Sequence, residues 1–134
     1  MTKYVIDAAA ALVLAADVRE PANEHELLAP TLLRSQVLSL LHAAVSRGEI
    51  TKEVADDRLD RIGGMRIRML GDRVLRNNAW KVADRFGWAD TYDAEYVALT
   101  VLQAEALITL DLDLARAVEG FVRTAPIDAL FDAT

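Results

Sequence analysis

The chain has 134 residues, no cysteine, two histidines and a formal net charge of −6 at pH 7, and 53% of its residues are hydrophobic. That length suits one domain around one core, and the lack of cysteine excludes disulfides, thiolate zinc sites and cysteine nucleophiles. Any metal must then be held by oxygen ligands, as Mg²⁺ or Mn²⁺ are, and an acidic chain lacks the overall charge of a general nucleic-acid binder.

Residues 3–6 are β-prone and read as a short buried strand that ends on Asp7, followed by an alanine-rich helix to about Ala16. The apolar run 8–16 imitates the core of a signal peptide. However, only Lys3 precedes it, Asp7 stands directly before it, and it is too short to span a bilayer, so a soluble, cytoplasmic protein with no membrane partner is expected. Residues 17–25 are polar and aperiodic, a loop, and 27–29 form a brief apolar piece expected as an edge-like strand. Pro30 and Thr31 open a helix to Arg47 with Leu32, Leu33, Val37, Leu40, Leu41 and Ala44 on its apolar side and Gln36 among them. Thr51 caps a second, more exposed helix that ends before Gly63 and Gly64.

Residues 65–70 alternate apolar and basic, the period-2 signature of a half-exposed strand. Asp72 starts a helix to about Phe86, broken by Gly87 and Trp88, and a further helix spans about 92–104. Residues 106–110 form a compact strand ending on Asp111, with Asp113 two positions on. A short helix over 114–118, a last strand over 121–123 and one turn at 127–131 complete the chain. Strands alternating with helices predict an α/β fold with a mostly parallel sheet covered on both faces, as a single domain over residues 1–134.

In such sheets ligands gather outside the carboxyl ends of the strands, at a switch point in strand order. Asp7 and Asp111 are expected there. Asp93 aligns with Val97 and Val101 at i, i+4 and i+8, which puts a carboxylate on an apolar stripe beside Tyr96 and Thr100. Read alone, Asp93 is a first-turn acid stabilised by the helix dipole, with Asp90 and Thr91 as cap candidates. Three acids converging without a basic partner would repel one another, so a divalent cation is expected between them, where it would support phosphodiester hydrolysis.

The net charge hides an uneven distribution. Residues 58–85 carry eight basic residues against three acids, a net +5, which leaves −11 for the remainder. This segment, with Arg66, Arg68, Arg73 and Arg76 foremost, is either an approach surface for RNA or a solvated helix face. Trp80 and Trp88 suit core or dimer packing, with base stacking or a partner anchor as the alternative. His25 reads as a loop residue and His42 as a packed or hydrogen-bonded residue near a helix end.

Three segments together resemble the PIN-domain family, in particular the small ribonuclease toxins of VapBC-type toxin–antitoxin pairs: residues 4–10, Tyr-Val-Ile-Asp-Ala-Ala-Ala; 92–99, Tyr-Asp-Ala-Glu-Tyr-Val-Ala-Leu; and 107–111, Leu-Ile-Thr-Leu-Asp. Their order and spacing cover essentially the whole chain. The resemblance implies a three-layer α/β/α sandwich, Mg²⁺- or Mn²⁺-dependent RNA cleavage, a homodimer and inhibition by a small antitoxin. It implies Asp7, Asp93 and Asp111 as the catalytic metal-binding acids, Asp113 as an added or alternative ligand, and Thr109 as a support for the last acid. Gln36 departs from the pattern, because the family has a glutamate in the corresponding helix. A neutral amide offers one carbonyl oxygen and removes a charge, so weaker metal binding is expected, unless Gln36 simply bonds to neighbouring backbone. Two functions follow: a metal-dependent endoribonuclease toxin, or a PIN-fold binding module whose catalysis is weakened by Gln36. A third, a phosphate-binding α/β protein, lacks a glycine-rich phosphate loop.

Overall fold

The computed structural model describes residues 2–22 and 24–132. Five strands form one sheet, β1 (Thr2–Ile6), β2 (His25–Pro30), β3 (Ile67–Leu70), β4 (Ala106–Ile108) and β5 (Thr124–Ala125), in the order β3-β2-β1-β4-β5. Every neighbouring pair is parallel. Six α-helices connect them: α1 (Ala8–Ala16), α2 (Leu32–Ser46), α3 (Lys52–Gly64), α4 (Arg73–Phe86), α5 (Tyr92–Gln103) and α6 (Leu112–Ala117), and a 3-10 turn spans Ile127–Phe131. Helices α1, α2 and α3 pack on one another, α4 packs on α5, and α5 lies against β1, β2 and β4, which gives helix, sheet and helix layers.

The central strands explain the core. Val5, Ile6, Leu28, Leu107 and Ile108 are fully buried, as expected for strands covered on both faces. Each such side chain contributes about 1.5–3 kcal/mol of transfer free energy. At the sheet edge, β3 pairs only with β2, and Arg68 is exposed between half-buried Ile67 and Met69, so the period-2 reading holds.

Helix starts follow side-chain chemistry. Asp7 accepts from the Ala10 N–H at 2.8 Å, Thr51 from Val54 at 3.2 Å and Asp72 from Leu75 at 2.9 Å. Such caps satisfy otherwise unpaired amides and are each worth about 1 kcal/mol. At the far end of α4, Gly87 adopts φ +70°, the left-handed conformation that closes a helix, and Trp88 then stacks on Phe86 at 4.9 Å between ring centroids.

Five expectations need correction. Helix α3 does not end before Gly63 and Gly64 but includes both, since Met65 is its C-cap. The segment 27–29 is not an edge: β2 is longer than its apolar centre and lies between β3 and β1, since its polar start, His25 and Glu26, pairs with Thr2 and Lys3. The last strand is Thr124–Ala125 and not 121–123, because the turn at Gly120 (φ +82°) continues through Phe121, whose ring packs edge-on against Phe86. Strand β4 stops at Ile108, and Asp111 caps α6, which starts at Leu112 and not at Leu114. Two residues placed on apolar stripes, Leu40 and Val101, are 45% and 53% exposed. No helix among the described residues is long and apolar enough to cross a membrane.

Candidate functional site

Strand order places the switch point between β1 and β4: the chain steps from β1 to β2 and β3 on one side, and from β4 to β5 on the other. Parallel neighbours leaving in opposite directions part their connecting loops and open a crevice at their carboxyl ends. An open pocket of about 470 Å³ occurs there, and Asp7, Gln36, Ser39, Asp93, Tyr96 and Asp111 line it. No lysine, arginine or histidine is among its lining residues.

Each acid is held differently. Asp7 directly follows β1 and turns one oxygen back onto the start of α1. Asp111 lies three residues beyond β4 and accepts from the N–H groups of Asp113 and Leu114 at 3.0 and 3.1 Å. Thr109, buried between them, accepts from the Asp111 N–H at 3.1 Å, and its hydroxyl is near enough to Asp7 to favour the charged carboxylate. The hydroxyl thus ties down the backbone that presents Asp111. Asp93 sits in the first turn of α5, and its side chain has no hydrogen-bond or ion-pair partner among the described residues. Asp90 supplies the helix-start bond instead, accepting from Tyr92 N–H at 3.2 Å, and Thr91 makes no side-chain cap.

The electrostatics follow from burial and crowding. Burial raises the pKa of Asp7, the Thr109 and Ala10 hydrogen bonds oppose the rise, and Asp111 adds to it by repulsion. Asp93 is exposed, yet partial desolvation raises its pKa, and the charges of Asp111, Asp90 and Asp7 push the same way. These carboxylates sense one another with no basic side chain among the pocket's lining residues.

The expected convergence is nevertheless incomplete. Among the described residues, no three His, Asp or Glu side chains are gathered so that they could hold a metal ion as they stand. Two of the acids are already partly engaged: Asp7 and Asp111 each spend one oxygen on a helix cap. Asp113 does not line the pocket; it is exposed on the first turn of α6. In kind, the donors suit a hard divalent cation: all are oxygens, each capping acid keeps one oxygen free, and Asp93 keeps two.

Gln36 faces the site. The Tyr96 hydroxyl donates to its side-chain oxygen at 2.6 Å, a bond between α2 and α5 across the pocket. The alternative, an amide bonded to nearby backbone, is not what the structure contains, and nothing in local sequence marks two partners sixty positions apart. Burial, with the charges of Asp7, Glu95 and Asp93, raises the Tyr96 pKa, so its hydroxyl stays protonated.

The basic segment does not line the acidic pocket. Arg73 and Arg76 lie on the first turns of α4, just beyond the carboxyl end of β3. Arg68 stands 3.7 Å from Glu26 on the sheet edge, and Arg66 lies at the opposite, amino end beside His25 and Glu20. Trp88 is half-buried, whereas Trp80, read mainly as a packing residue, is 67% exposed.

No known protein-family profile matches the sequence, and no curated protein matches it. Among solved structures, the chain is similar to the crystal structure of PAE2754 from Pyrobaculum aerophilum. The TM-score is 0.74 at 23% identity, over 97% of this chain and 93% of that one. At that identity the likeness establishes a shared α/β fold.

Proposed function

We propose that the protein is a metal-dependent endoribonuclease, with Asp7, Asp93 and Asp111 holding Mg²⁺ or Mn²⁺ at the switch-point pocket. The observation that carries this reading is a pocket at the carboxyl edge of a parallel sheet lined by three carboxylates and no basic side chain. Burial raises two of those carboxylates, so a bound cation would relieve a real electrostatic cost. When bound, the ion would supply an activated water and charge neutralisation for phosphodiester hydrolysis. Asp7 and Asp111 would present their uncapped oxygens, Thr109 would hold the backbone of Asp111 in place, and unrestrained Asp93 would complete the set by turning inward. The resemblance to VapBC-type toxins extends the reading: a cytoplasmic toxin, working as a homodimer and silenced by a small antitoxin.

One observation favours a second reading, a PIN-fold binding module with weakened catalysis: Gln36 is neutral, and its side-chain oxygen is already engaged by Tyr96. Both readings are tested by incubating the purified protein with structured and single-stranded RNA in Mg²⁺, Mn²⁺ or EDTA. Cleavage that requires metal and disappears in Asp7→Asn, Asp93→Asn and Asp111→Asn supports the nuclease. Binding without cleavage, unchanged by Gln36→Glu, supports the module.

A further inference from the structure

A second groove, of about 320 Å³, lies on the other side of the first turn of α5, with Thr31, Gly71, Arg76, Trp80 and Glu95 among its lining residues. We propose that it is a subsite for one unpaired base of single-stranded RNA: Trp80 stacks the base, Glu95 accepts from its Watson–Crick edge, and Arg76 meets the adjoining phosphate. The substrate class rests on the ribonuclease reading above.

Four observations carry it. Trp80 is 67% exposed yet walls a concavity, so its aromatic face is open to a planar partner. Arg76 precedes it by one helical turn and is exposed, and Glu95 is half-buried. Neither side chain has an ion-pair partner among the described residues. At Gly71 a Cβ would come within 2.7 Å of the Thr31 hydroxyl, so glycine is what lets the loop after β3 pack on Thr31 and form this wall of the groove. Finally, Thr91 and Glu95 line this groove while Asp93 and Tyr96 line the acidic pocket, so one helix, about 10–12 Å across, separates the two. A strand whose phosphate sits at the acids therefore carries a neighbouring base to Trp80.

The groove's chemistry also favours a choice of base. Guanine presents an imino and an amino donor side by side, which a carboxylate accepts as a pair; uracil offers one donor flanked by acceptors. A protein partner would use the exposed indole as well, but Arg76 in the groove and exposed Arg73 beside it offer a polyanion two cations, while Asp72, which also lines the groove, is engaged as the α4 cap.

The test is tryptophan emission in the full-length Trp88→Phe variant, where Trp80 is the only indole, titrated in EDTA with guanosine- or uridine-containing hexanucleotides. Saturable quenching is expected, at least fivefold tighter for guanosine, with Glu95→Gln erasing the preference and Arg76→Ala weakening binding about tenfold. In the otherwise native chain, anisotropy of a labelled hexanucleotide should show Trp80→Ala binding about five- to hundredfold more weakly. Unquenched Trp80 with unchanged Trp80→Ala affinity overturns the proposal, as does emission that tracks protein concentration without RNA, which would mean a second copy fills the groove. If the acids are not a nuclease site, quenching survives while wild-type protein fails to cleave. If only the subsite is wrong, Trp80→Ala cleaves with unaltered KM.

Discussion

The two ends of the sheet treat charge in opposite ways. At the amino end, acids find partners: Glu105 accepts from the Lys3 backbone N–H at 2.6 Å, Glu26 faces Arg68 at 3.7 Å, and Asp17, where α1 ends, pairs with Arg19 at 3.0 Å. At the carboxyl end, Asp7, Asp93 and Asp111 share a pocket that no basic side chain lines. The amino end is finished as a surface, whereas the carboxyl end carries an electrostatic cost that folding alone does not require. Uncompensated charge of that kind is what the proposed metal site would use.

The contrast is broken most severely by Asp93→Asn, which removes charge without altering the core. Metal-dependent RNA cleavage should fall by about a thousandfold, the scale of several kcal/mol of transition-state stabilisation, in a gel assay with matched protein. Near-native rates in this variant would remove the carboxyl end from the chemistry. Next in size is Gln36→Glu, which adds an anion beside the existing three: Mn²⁺ affinity by calorimetry should tighten about tenfold, and an unchanged affinity would mean that Gln36 stands apart from the ion.

A smaller and opposite effect is expected from Asp7→Asn in metal-free buffer. The folded-state pKa of Asp7 is raised, so its stabilising contribution is complete below the unfolded carboxyl range and is lost as pH rises through the folded value. At neutral pH the ionised group therefore burdens the fold. Asparagine caps a helix about as well as aspartate, so the variant should melt on the order of 3 °C higher at pH 7, with the gain vanishing near pH 3. A lower melting temperature at pH 7 would show that the charge is not a burden. Smallest of all, Glu26→Gln at the amino end removes one exposed-side ion pair and should cost under about 1 kcal/mol in urea unfolding without touching RNA cleavage.

Local chemistry made much of this legible. The Thr51 and Asp72 helix starts, the alternation that becomes β3, and the glycine that ends α4 are short-range signals, and the elements they predict are present. Strand-terminal acids implied a shared edge, and a parallel sheet brings Asp7 and Asp111 to one pocket. What escaped depends on distant partners. The polar start of β2 looked like loop until β1 supplied its hydrogen bonds, and Phe121 looked like strand until Phe86 supplied a ring to pack against. The apolar stripes of α2 and α5 run past the core boundary, so periodicity alone buried Leu40 and Val101. Trp80 posed the same problem, since hydrophobicity says that an indole gains from burial but not that a neighbour is there to bury it.

The bond between Tyr96 and Gln36 has a further consequence. It ties helices from opposite layers, and both its partners stay neutral across the range in which the surrounding acids gain and lose protons. The pocket is thus crossed by a half-buried strut whose strength does not vary with acidity, beside acids whose mutual repulsion does. Tyr96→Phe would remove the strut alone, leaving α2 free of its tie to α5 while every acid of the pocket stays in place.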